Sequence, residues 1–161
     1  MSGTGRLTTF VVVILAFAAI AAGASASGGA TITRQDVTGD TVSCDNGTLT
    51  VTAGSFQIVV HETQTPSGGY HLIVEGNAQG VRAVGPGGEK YLIPGGFWIE
   101  TNVTPGATTT TETGVLQVIG QGRAPNFAAH TVVHTTVDAN GNVTASVDRF
   151  TATGNCVVPP V

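Results

Sequence analysis

Apolar residues follow two regimes along this chain. Residues 10–22 ("FVVVILAFAAIAA") form one unbroken apolar run, whereas from residue 47 onward apolar and polar positions alternate. No stretch of the second part keeps an apolar 3.6-residue period for ten residues. Its β-branched residues recur every second position and are interrupted by glycine, proline and asparagine, the pattern of strands and turns. Strands are predicted over 47–53, 55–63, 70–76, 80–84, 89–93, 96–103, 114–120, 127–137 and 142–149, with a last one reaching Cys156. Residues 106–114 ("GATTTTETG") read as a flexible loop or a polar edge strand. Many short strands with frequent turns predict an all-β fold, a single antiparallel β-barrel or, alternatively, a two-sheet β-sandwich.

Two hairpins can be assigned a register. In "DANG" (138–141) a type I turn followed by a left-handed glycine makes a three-residue loop. That register pairs Val137 with Val143, Thr135 with Ala145 and Val133 with Val147, so the apolar residues share a face. The other face then carries His130, Val132, His134 and Thr136 across from Thr144, Ser146, Asp148 and Phe150. In the earlier hairpin, Phe56, Ile58 and Val60 share a face with Tyr70, Leu72 and Val74 only if the loop is odd in length, such as "SGG" or "TPSGG". His61 and His71 then fall together on the opposite, less apolar face.

The early apolar run changes the domain picture. One basic residue (Arg6), 13 apolar residues and the small-residue stretch "GASASGG" have the order of a secretory signal peptide. The run is shorter than the ~20 residues a spanning helix needs. Residues 1–26 are therefore expected to be a signal peptide, 27–40 an N-terminal extension and 41–161 one antiparallel β domain. The expected location is extracellular or the cell envelope, with no membrane association after cleavage. Cys44 and Cys156 are the only cysteines. In an oxidising compartment such a pair is most simply a disulfide, here closing the barrel by joining its two ends.

Beyond Arg6, five basic residues face ten acidic ones, a net charge of −5. Arg34, Arg82, Lys90, Arg123 and Arg149 form no basic run, which argues against nucleic acid as a partner. Candidate chemistry rests on His61, His71, His130 and His134, with Asp148 or Glu75 as acidic companions. Clustered imidazoles on neighbouring strands can hold zinc or copper. However, His130 and His134 lie ~13 Å apart along an extended strand at ~3.3 Å per residue, so the two cannot share one ion on an unbulged strand. As ligand-contacting residues the four histidines and Asp148 would form a polar binding face. No catalytic residue is assigned, because no Gly-x-Ser-x-Gly motif or close carboxylate pair is present, and no cofactor is expected.

A leader, an early cysteine in "TVSCDNGTLTVTAGSFQIVVHET", the "GGYHL" hairpin, "NAQGVRAVG" and "IGQGRAPNFAAHTVVHTTVDANGNVTASVDRFTATGNC" together resemble small secreted proteins of actinobacteria. The resemblance covers nearly all of the chain after the leader. It implies a single-domain exported β protein whose cysteine pair joins its two ends, and it supplies no catalytic residues. The leading expectation is a non-enzymatic secreted or cell-envelope protein that binds a small molecule or a cell-surface component. A barrel enzyme, a cyclase, isomerase or hydrolase using histidine as acid and base, is one alternative. A structural or adhesive surface protein is the other.

Overall fold

The computed structural model describes residues 29–44 and 47–154. The expected signal peptide, Cys156 and the Cys44 side chain lie outside the described residues. Among the described residues there are nine strands and no helix: β1 (Thr31–Asp36), β2 (Thr41–Cys44), β3 (Gly47–Gln64), β4 (Tyr70–Val84), β5 (Lys90–Leu92), β6 (Gly95–Thr104), β7 (Ala107–Gly120), β8 (Phe127–Asp138) and β9 (Val143–Gly154). The all-β expectation holds, and every ladder is antiparallel.

Several strands predicted separately are one. β3 unites the first two because Gly54, at φ 122°, lets the strand bulge and continue. β4 likewise runs through Gly80. Conversely, β1 and β2 lie end to end along β3, and β5 and β6 lie end to end between β4 and β7. Pro94 breaks the second pair, since it has no N–H to give the ladder. Its carbonyl still accepts from the Gln117 N–H at 3.0 Å. The result is seven antiparallel passes in sequence order, a meander. All strands belong to one sheet, which removes the two-sheet sandwich.

Two further expectations are corrected. The segment expected as an N-terminal extension contains β1, which pairs with β3 from Thr31↔Val60 to Asp36↔Ser55. "TITRQD" has no buried position, so nothing apolar marks it as a strand. Residues 106–114 are neither loop nor edge, because nearly all of them belong to β7, bonded to β6 on one side and β8 on the other. Threonine serves a central strand well because its β-branch favours extended backbone while its hydroxyl finds partners across the ladder. Thr101 and Thr110 bond at 3.2 Å, and Thr109 and Thr136 at 3.4 Å.

The buried apolar residues of the sheet gather on one face, and the other face mixes polar with apolar side chains. Leu49 (1% exposed) and Val118 (0%) anchor a cluster with Val37, Val51, Val81, Ala83, Tyr91 and Ile93. No helix and no second sheet covers this cluster among the described residues. The side that carries this cluster is the inner face, and the opposite side the outer face. This packing lies at one end, the base, where β3 starts and β4, β7 and β9 finish. The opposite end, the rim, carries the turns 65–69, 105–106 and 139–142. The edges are β1–β2 and β9, and among the described residues no ladder joins them. β1, β2 and β9 all run from rim to base.

The histidine face

Both turns expected from the sequence are present. The five-residue "TPSGG" loop joins β3 to β4, with Thr65 N–H donating to the Gly69 carbonyl at 2.9 Å. In the 138–142 turn, Gly141 (φ 84°) donates to the Asp138 carbonyl at 3.0 Å. The Asp138 carboxylate accepts from the Asn140 and Asn142 N–H groups at 2.8 and 2.9 Å. These bonds hold its carboxyl below the ordinary range, Asn142 contributing most.

The β8–β9 register departs from expectation after its first pair. Val137 opposes Val143, but Thr136 opposes Ala145, so Thr144 is bulged out. From there on every β9 side chain is on the other face from the one expected. Val133 meets Asp148, while His134 meets Val147. Asp148 thus leaves the histidines and turns to the inner face. The bulge gives Phe150 to the apolar side, and Val147 is left 52% exposed.

All four histidines share the outer face. Cross-strand partners face the same way, so the chain of pairs His61↔Ile73↔Glu100↔Thr111↔His134 fixes their common side. His71 lies one rung nearer the rim, opposite Thr63 and Asn102, and diagonal to His61. His130 is two rungs nearer the base than His134, opposite Val115. His61 and His130 are exposed, while His71 and His134 are half-buried.

Two of the imidazoles have defined partners. His71 Nε2 donates to Glu100 Oε1 at 3.0 Å, and the Asn102 side-chain amide donates to the same oxygen at 3.1 Å. First the Asn102 bond and then the His71 bond lower the Glu100 pKa, so the carboxylate stays charged. His134 Nδ1 and Thr111 Oγ1 share a hydrogen bond of 2.8 Å. No pattern within a single strand announces these partners, because Glu100 and Thr111 meet the histidines only through register.

The face has limited chemical capacity. Among the described residues no three His, Cys, Asp or Glu side chains converge to hold a metal ion. The Thr111–His134 pair has the separation of a nucleophile and its base. Yet β7 is hydrogen-bonded on both sides, so its N–H groups are committed to ladders rather than aimed at a developing oxyanion. What remains is a polar surface of imidazole, hydroxyl, amide and carboxylate groups with Trp98 on the same side, opposite Glu75 and Thr113. Comparison with protein-family models, with curated proteins and with solved structures returned no match.

Proposed function

We propose that this chain is an exported or cell-envelope protein without enzymatic activity, which meets a surface partner through its histidine face. The observation behind this reading is the gathering of His61, His71, His130 and His134 on one outer face. Two of them are held in place by Glu100 and Thr111. A hydrogen-bonding surface of imidazole, hydroxyl and amide groups with Trp98 beside them suits a hydroxyl-rich partner such as a cell-wall glycan. The leader-like first 26 residues support export.

The same reading includes closure of the sheet. The two edge paths run in one direction and finish at the base. Cys44 ends β2, and Cys156 follows the last residue of β9 by two positions. A Cys44–Cys156 disulfide would tie edge to edge and complete the barrel.

Co-sedimentation with isolated actinobacterial cell walls tests the binding. The oxidised protein is expected to pellet with the walls. A His71→Ala/His134→Ala double variant should bind at least about fivefold more weakly, as two lost hydrogen bonds of ~0.5–1.5 kcal/mol each imply. Equal pelleting of both proteins, or of neither, would refute the reading.

A further inference from the structure

The rim end of β3 has one side without a partner. β1 covers β3 only from Thr31↔Val60 to Asp36↔Ser55, whereas β4 follows it up to Gln64↔Tyr70. Residues 61–64 therefore have β4 on one side and no strand on the other among the described residues. Alternation decides which backbone groups are left over. The Thr65 N–H donates to the Gly69 carbonyl at 2.9 Å, so Thr63 and His61 also turn their N–H and C=O groups to β4. Glu62 and Gln64 turn theirs to the open edge, where unpaired groups template another strand.

The chain just ahead of β1 has the length to fill this edge. Continued in the register of β1, Ala30 meets His61, Gly29 meets Glu62, Gly28 meets Thr63 and Ser27 meets Gln64. Gln64 is the last residue of β3, and its rung runs through Tyr70, Val103, Thr108, Val137 and Val143. Tyr70 and Val143 are the first residues of β4 and β9. Ser27 is also the first residue after the expected leader, residues 1–26. The small-residue cleavage sequence and the ladder register, two independent features, thus place the new end of the chain on the rim rung.

In the uncut chain Gly29 and Ala30 are exposed and outside the strand, as a link to the leader. Two glycines make 27–30 a weak strand by itself, so its pairing depends on the ready-made edge of β3 and on a free end.

We infer that removal of the leader completes this edge: residues 27–30 of the mature chain extend β1 along β3, pairing Gly29 with Glu62 and Ser27 with Gln64. The inference rests on the export reading, since only the cut frees this end. With Ser27 level with Val143, the β1–β2 path reaches the rim as β9 does. The rim end of β3 is then closed to strands of other chains.

Amide hydrogen exchange of the oxidised, ¹⁵N-labelled chain beginning at Ser27 tests the pairing. The Glu62 and Gln64 amides are expected to exchange at least about tenfold more slowly than in an unstructured peptide. Gly29→Pro removes an N–H that faces β3 and should abolish most of that protection. Gly28→Pro removes one that faces away and should not, and the Thr63 amide, given to β4, should be unchanged in both. Unprotected Glu62 and Gln64 in the wild type, or equal effects of the two prolines, would overturn the pairing. The wild-type rates stand whether or not either variant folds. The mass of the protein exported by an actinobacterial host tests the cut separately. A start at Ser27 is expected, a start elsewhere would remove the shared rung, and no export at all would refute the export reading itself.

Discussion

Glu112 and Asp138 show how a carboxyl group acquires opposite roles from its surroundings. Asp138, at an exposed turn, accepts several hydrogen bonds that lower its pKa. Its contribution is present above the unfolded value near 3.8 and is lost as pH falls through the lower folded value. Glu112 lacks such bonds, and desolvation raises its pKa above 4.5. The folded state then holds its proton more tightly than the unfolded state. Stability falls as pH rises from 4.5 through the folded pKa, and the loss persists above it. Glu112→Gln removes that loss. Urea unfolding at pH 7 should show the variant more stable by ~0.5 kcal/mol, a small gain because water still reaches and screens the carboxyl. At pH 3.5 the two proteins should coincide. An advantage that is the same at both pH values would mean that charge burial is not its cause. The position was legible in advance: within "TTTTETGVLQV", Glu112 has the parity of Leu116 and Val118, which are core-facing. Four threonines in a row, Thr108 to Thr111, hide the alternation that would assign a strand there.

At the scale of elements, glycines decide where strands bend and which face each half presents. Before Gly54, the odd-numbered Leu49 and Val51 are inside; after it, the even-numbered Phe56, Ile58 and Val60 are. Two register shifts, between Val51 and Ala53 and between Ala53 and Ser55, therefore let a single 18-residue strand keep its apolar side inward across a change of parity. Gly54 combines a φ of 122° with a close approach, since an added Cβ would lie 2.4 Å from Val81 Cα. Gly54→Ala should destabilise by roughly 2–4 kcal/mol, the sum of backbone strain and overpacking, whereas Gly39→Ala, which has open space though also a positive φ, should lose only the strain. Denaturant midpoints of the two variants measure this, and equal losses would show that the contact with Val81 carries none of the cost. Turn chemistry made the "TPSGG" and "DANG" hairpins readable from sequence. The Thr144 bulge was not readable, because no residue there departs from ordinary strand composition. That one extra residue moved Asp148 from the expected histidine site to the opposite side.

At the scale of the whole molecule the described strands form a meander in which strands that follow one another in sequence pair in space. Its two ends are its open question of stability, since both edge paths bear unpaired backbone groups among the described residues. If the proposed disulfide joins them, its loop spans residues 44–156, and the chain-entropy account assigns it roughly 5 kcal/mol. Unfolding with and without reductant should then differ by several kcal/mol, and an unchanged midpoint would remove the bond from the account. Fold class came through in the sequence because alternation is a property of each strand by itself. Faces shared between strands, such as the one that collects the four histidines, depend on every intervening register and emerge only from the assembled sheet.

An odd number of passes has a practical consequence for engineering. Thr31 enters on the rung of Val60 and Asp148, and Gly154 leaves six residues nearer the base. In a meander of even count, both termini would leave at one end. Here a peptide joining old termini in a circular permutant must climb those six residues, ~20 Å at 3.3 Å per residue. Fusions behave accordingly: a label placed ahead of Thr31 stands nearer the rim turns than one placed beyond Gly154.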